Sequence, residues 1–206
     1  MATAERSEGD RAAPGRRQAT TRQAIEQAAL KLFLANGYEE TTVEDIAAAA
    51  SIGRRTFFRY FASKNDIAWG EFDAELGRLR AALEATPPGL PVLEAVRVAV
   101  VRANRYETAD LPTLRQRLTL LVEVPALRGH AMLRYAAWQH VVAEFAGRRL
   151  GQPARGLVPQ AVARATLGVA LAAYTAWVED DAADLEGCLD VALGQLAAGF
   201  PVPAEA

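Results

Sequence analysis

Apolar positions recur at helical spacing along most of the chain, and no stretch alternates apolar and polar residues as a half-buried strand would. Ile25, Ala28, Ala29, Leu32 and Phe33 follow the i, i+3, i+4, i+7, i+8 series and predict a first helix over residues 21–36. Thr20 and Gln23 form a capping-box pair at its start, and Gly37 stands where a left-handed residue would end it. Val43, Ile46, Ala47 and Ala50 predict a short second helix over 43–50, capped by Thr42 with Asp45 three residues on. Ser51-Ile52-Gly53 reads as a tight turn, and a third short helix follows over 54–61. Ser63 and Asp66 form a further capping pair, and the stripe Ile67, Phe72, Leu76, Leu79, Leu83 predicts one long fourth helix reaching residue 85. After the stop signal Thr86-Pro87-Pro88-Gly89, helices are predicted over 91–106, 112–122, 125–150, 159–178 and 184–199. Leu127, Ala131, Trp138, Val142 and Phe145 trace the stripe of the longest. The chain reads as all-α.

The third helix has two unlike sides. Phe57 and Phe61, four apart, fall on one; Arg54, Arg55, Phe58 and Arg59 fall on the other. A helix this short does not persist alone in water, so its aromatic side must dock and its guanidinium groups must face outward. A docked, arginine-faced helix after a short helix and a turn is the arrangement of a helix-turn-helix reader of the DNA major groove. Arginine is shaped for bidentate contact to guanine O6 and N7. The bland alternative for Arg54, Arg55 and Arg59 is a solvated surface.

Composition changes this picture little; charge distribution sharpens it. Of 206 residues, 51% are apolar, enough for one or two domains with a real core. The net charge is −2, which does not announce a nucleic-acid binder. The first 65 residues nevertheless carry ten Lys/Arg against eight Asp/Glu, and from Glu179 onward there are seven acids and no Lys or Arg. Residues 1–19, with Arg16 and Arg17, read as a disordered arm that adds backbone or minor-groove contacts or is a solvated tail. A single cysteine, Cys188, excludes an intrachain disulfide framework and suits the cytoplasm. No signal-peptide core or apolar run of membrane-spanning length is evident, so no membrane partner is expected.

Residues 20–72 resemble the DNA-binding domain of the TetR family of bacterial repressors. The resemblance rests on TRQAIEQAALKLFLANGYEETTVEDIAAAA, then TFFRYF at 56–61, then Ser63-Lys64. It covers about a quarter of the chain. The later stretch, including RYAAW at 134–138, is similar to the subgroup of that family found with mycofactocin gene clusters. The resemblance implies a helix-turn-helix DNA-binding domain over 20–66 and a helical ligand-binding and dimerisation domain over 67–206. It implies base reading by Arg54, Arg55, Phe58 and Arg59, and phosphate contact by Thr42, Thr56, Tyr60 and Lys64, which fixes register without reading sequence. Two departures from the family pattern stand out, one in the turn and one on the recognition helix. Ser51 stands where the turn usually has Gly and would be strained at positive φ, and Gly53 lacks a side chain to cap the recognition helix. Phe58 replaces a common Tyr and keeps the ring without the hydroxyl.

The segment 159–178 is apolar almost all round and needs cover on all sides. With 184–199 it is the expected homodimer interface, as the family's last two helices are, presenting two recognition helices to a palindromic operator. A monomeric core is the alternative. The family resemblance also implies a small-molecule effector that releases the operator. Asn104, Arg105, Tyr106, Arg117, Arg128, Arg134 and Trp138 are candidate effector contacts, and arginines among apolar residues suit an anionic ligand with a greasy portion, such as an acyl-coenzyme A. Surface placement is the competing reading for each arginine. His130 and His140 lack partners at metal-ligand spacing, and no phosphate loop, nucleophile elbow or zinc motif is present; no metal, cofactor or catalytic residue is expected. The rival functions are an activator without ligand control and a helical small-molecule-binding protein or enzyme with a vestigial head.

Overall fold

The computed structural model of the protein describes residues 21–201, and all regular structure among them is helical. The arm and Thr20 lie outside the described residues. Helix α1 spans Arg22–Asn36 and is capped by Thr21, not by the Thr20 pair expected: the Thr21 hydroxyl accepts from Ala24 N at 3.1 Å. Ile25, Ala29 and Phe33 are buried as the spacing requires, but so are Glu26 and Leu30. Helix α1 has neighbours on two sides, so its buried surface is wider than one stripe. Gly37 takes φ +89 and ends the helix, and Tyr38 folds back until its ring meets Phe33 at 4.9 Å.

Helix α2 covers Val43–Ala49 and α3 covers Arg54–Tyr60. The fourth helix is where the structure departs most from expectation. A 3-10 helix, Lys64–Trp69, begins at the Ser63–Asp66 capping box and stops at Gly70; α4 then runs over Phe72–Glu84. Gly70 sits at φ +53, ψ −128, a conformation open to glycine and closed to residues with a Cβ. Its carbonyl accepts from Arg22 Nη2 at 3.2 Å, and the space a side chain would fill holds the Arg117 guanidinium. The apolar stripe therefore continues across the break, with Ile67 in one cluster and Leu79 and Leu83 in another.

The remaining helices are α5 (Val92–Ala103), α6 (Leu111–Glu123), α7 (Pro125–Leu150), α8 (Leu157–Glu179) and α9 (Leu185–Ala198). They form with α4 a bundle whose core includes Val96, Val142, Phe145, Trp177, Leu189 and Leu193. A separate cluster joins α1, α2, α3 and the 3-10 helix through Ile25, Phe33, Ile46, Phe57, Phe61 and Ile67. Leu120 of α6 and Leu127 of α7 belong to this second cluster, so the head is completed by the body. Helix α8 is long and apolar enough to cross a membrane, contrary to the sequence reading, yet it packs along α7 and α9 with Ala163, Leu167, Ala170 and Trp177 buried as a core helix.

Replacing Gly70 with Ala should force a strained backbone and displace Arg117. A loss of about 1–3 kcal/mol is expected for the backbone alone, measured as a lower urea midpoint at unchanged slope.

Candidate functional site

The helix-turn-helix is built from local rules. Thr42 Oγ1 accepts from Asp45 N at 3.1 Å while Asp45 Oδ2 accepts from Thr42 N at 2.9 Å, the reciprocal capping box that starts α2. Ser51 N donates to Ala48 O at 3.0 Å and Ile52 N to Ala47 O at 2.9 Å, the two bonds of a Schellman stop, with Ser51 at φ +55 as its left-handed residue. A serine there costs about 1 kcal/mol relative to glycine. Gly53 caps α3 with backbone alone; no side chain completes the cap.

The two sides of α3 face as its sequence predicts. Phe57 and Phe61 are buried, with ring centroids 5.6 Å apart, while Arg54, Arg55, Phe58 and Arg59 are exposed. The Phe58 ring stands edge-on to Phe57 at 5.3 Å, and the guanidinium of Arg54 lies over it at 5.4 Å. Arg54 also pairs with Glu44 of α2, a contact the sequence reading did not anticipate. Arg59 lies over the Tyr60 ring at 5.1 Å. Thr56 and Tyr60 are half-buried at the margin of this face.

Two of the expected phosphate contacts are otherwise engaged. Lys64 Nζ donates to the carbonyls of Tyr38, Glu39 and Thr41 at 2.9, 3.3 and 3.1 Å and lies 4.4 Å from the Tyr38 ring centroid. All three ammonium protons are thereby used, so Lys64 ties the loop after α1 to the 3-10 helix rather than offering donors outward. The Thr42 hydroxyl donates to Asp45 Oδ2 at 2.6 Å, so its proton also stays within the cap.

A cavity of about 500 Å³ lies between the 3-10 helix and α4 through α8. Of the expected effector residues, Asn104, Tyr106, Arg117, Arg128 and Trp138 line it. Arg105 and Arg134 do not: Arg105 is exposed and pairs with Glu186 at 2.9 Å, and Arg134 pairs with Asp66 at 3.2 Å and covers Phe72. Arg134 instead clamps α7 to the 3-10 helix. The largest omission is Glu75 of α4, which lines the cavity among apolar side chains. It stands three after Phe72 and four before Leu79, on the apolar stripe itself, and that misplaced carboxyl was the available signal. Trp69, Phe72 and Tyr135 add aromatic wall; Trp69 meets the other two rings edge-on at 5.7 and 5.8 Å.

Few of the polar groups in this wall are free. The Tyr174 hydroxyl donates to Asn104 Oδ1 at 2.7 Å, and Asn104 Nδ2 donates to Val100 O at 2.9 Å. Arg117 donates through Nε and Nη2 to Glu26 of α1. Burial raises the carboxyl of Glu75 above the ordinary glutamate range, with Arg117 and Arg78 opposing and Glu26 and Glu71 assisting. Burial likewise raises Glu26 against the pull of Arg117 and Arg22. Tyr106 is pushed up to about 12, mainly by burial and then by Glu75, and burial also raises Tyr174. Among the described residues no cluster of His, Cys, Asp or Glu is arranged to hold a metal ion.

Residues 25–68 match the family described as bacterial regulatory proteins, tetR family, and residues 90–201 match the MftR C-terminal domain. The chain belongs to the TetR family of transcriptional regulators. It is 38% identical over 186 residues, 90% of this chain and 94% of the other, to a Mycobacterium tuberculosis regulator named for mycofactocin biosynthesis, MftR. Solved structures share the fold. Thermus thermophilus FadR, a TetR-family repressor in complex with lauroyl-CoA, aligns with TM-score 0.56 at 23% identity over 90% of this chain and all of the other. SmeT of Stenotrophomonas maltophilia in a complex with triclosan aligns with TM-score 0.63 at 19% identity over 92% of this chain and all of the other. This TetR-family chain is therefore a regulator of transcription and not an enzyme.

In this regulator the Glu75 carboxyl carries a testable sign. Its pKa is raised in the folded state, so the folded protein holds the proton more tightly than the unfolded chain. The associated stability is fully present below the ordinary value near 4.5 and is lost as pH rises above it. Glu75→Gln removes that loss. Its melting temperature should equal wild type near pH 4.5 and exceed it near pH 7.5, by about 2–4 °C per kcal/mol relieved. An advantage that does not grow with pH would contradict the assignment.

Proposed function

We propose that this chain is a ligand-responsive repressor that binds a palindromic operator as a homodimer and is released by a small molecule in the α4–α8 cavity. The carrying observation is one shared wall. Ala68 of the 3-10 helix is buried in the head's apolar cluster and also lines the cavity. A ligand that reshapes the cavity thus presses directly on the core that seats α3. Interiors close-packed in this way shift as units rather than yielding locally.

Arg55 and Arg59, exposed on α3, are the base-reading groups best placed to act. Arg54 reaches a base only by leaving Glu44. Arg55→Ala should cost about 1–3 kcal/mol and relax preference at one base position; an equal loss on every duplex would reassign Arg55 to phosphate contact.

The homodimer reading is supported by α8 and α9. Ala161, Ala165, Gly168, Ala172 and Ala176 form an exposed small-residue face of α8, and Val191 of α9 is 65% exposed. Small residues allow two copies of such a face to approach closely. Ala172→Glu should convert the dimer to a monomer by light scattering while helix content is kept, and should abolish binding to a palindrome.

An acyl-coenzyme A is the effector this site fits best. The walls take an acyl chain, the volume lies within the range of small-ligand sites, and Arg128 stands exposed at the rim for an anionic portion. The likeness to FadR with lauroyl-CoA supports the same class. Gel-shift binding on the DNA upstream of this protein's own gene tests the whole reading: a retarded complex should form and dissolve on adding lauroyl-CoA. A complex indifferent to acyl thioesters and to other apolar ligands would overturn ligand control.

A further inference from the structure

Arg117 stands where head and body meet. Its side chain lines the cavity, its Nε and Nη2 donate to Glu26 of α1, and its guanidinium rests on Gly70, where any Cβ would overlap it. On the cavity side its charge acts on Glu75 and Tyr106. Arg22, one turn before Glu26 on α1, donates to the carbonyls of Gly70 and of Tyr60, the last residue of α3. Its guanidinium also lies 4.2 Å from the Phe61 ring centroid. One continuous polar path therefore runs from the cavity through Arg117 and Glu26 to α1, and through Gly70 and Arg22 to the C-terminal end of the recognition helix.

We propose that Arg117 is the residue that reads the effector: a hydrogen-bond-accepting group of a ligand in the cavity takes the guanidinium from Glu26, which unfastens α1 from the body and lowers operator affinity. The proposal rests on the cavity being the effector site. It also narrows the chemistry. Two carboxyls bear on this one guanidinium: Glu26, which pairs with it, and Glu75, which lines the same cavity. A free carboxylate entering there would meet both. A neutral acceptor, the carbonyl of a thioester, ester or amide, bonds Arg117 without that repulsion, leaving any anionic portion outside. Coupling is reciprocal: operator binding, which needs α1 held, must favour the Arg117–Glu26 pair and disfavour the ligand.

The test uses the full-length protein and a duplex it selects from a random-sequence pool, with lauroyl-CoA and laurate as probes. Operator affinity is read by anisotropy and ligand binding by quenching of tryptophan fluorescence, since Trp69 and Trp138 line the cavity. In wild type, lauroyl-CoA should weaken operator binding roughly tenfold or more, within the usual span of allosteric coupling, and laurate far less. Arg117→Met, which breaks the same pair, should bind the duplex about as weakly as Glu26→Gln, still show quenching by lauroyl-CoA, and release little or no further DNA when the ligand is added. Glu26→Gln, with helix content and dimer mass unchanged, should bind the duplex several-fold more weakly with no ligand present. Arg117→Lys, which keeps the charge without the planar fork, should lie between and serves where the Met variant fails to fold. Release of Arg117→Met at the wild-type ligand concentration would overturn the proposal, as would Glu26→Gln with wild-type operator affinity. Laurate acting as strongly as lauroyl-CoA would overturn the neutral-acceptor assignment. If wild type binds neither probe, the acyl-thioester reading fails by itself, and the ligand-free affinity of Glu26→Gln still decides the role of Arg117.

Discussion

A buried ion pair at the joint between head and body governs this molecule. Glu26 is 3% exposed on a helix that should have turned only apolar residues inward, and its charge is tolerated because Arg117 reaches it from α6. Such a pair adds little net stability, since desolvation offsets most of the attraction, but removing one member leaves a stranded charge at about 3–5 kcal/mol. Its value is therefore positional. It admits one placement of α1 against α6, and Gly70 is required because the guanidinium occupies the space a side chain would need.

The arginine face of α3 inherits its position from this joint. Helices α2 and α3 have seven residues each, far below the length at which a helix persists unaided. They are held by Phe57 and Phe61 in a cluster that α6 and α7 help to close, and by Lys64, which gathers three carbonyls of the loop after α1. The arginine face of α3 is rigid to the extent that these contacts are rigid. A head whose core contains Leu120 and Leu127 shares packing with the body, so a displacement of α6 or α7 bears directly on the cluster that seats α3.

The body combines two requirements that usually conflict. Helix α8 must close the cavity on one side and present a bare small-residue face on the other. It does so by spacing: Leu167, Ala170, Tyr174 and Thr175 turn toward the cavity while Ala165, Gly168, Ala172 and Ala176 turn away. The cavity in turn pairs most of its polar groups within the wall, although the buried Trp69 Nε1 has no hydrogen-bond partner among the described residues. Tyr174 donates to Asn104, and Arg117 is held by Glu26, so Glu75 is the wall's uncommitted carboxyl.

Much of this was legible along the chain, for local reasons. The α2 capping box, the strained Ser51, the bare N-cap at Gly53 and the inward rings of Phe57 and Phe61 all follow from neighbours within five residues, where helix geometry dictates what meets what. Homology to TetR-family regulators was equally local, because the helix-turn-helix is a contiguous motif. What the sequence could not decide depends on residues distant along the chain. Whether Lys64 faces DNA or the loop after α1, whether Arg134 lines a cavity or clamps Asp66, and whether the stripe 67–83 is one helix or two are settled by partners 23 to 68 residues away. Periodicity specifies which side of a helix is apolar; only packing specifies which helix covers it, and there a buried glutamate, a kinked glycine and one shared guanidinium become a single feature.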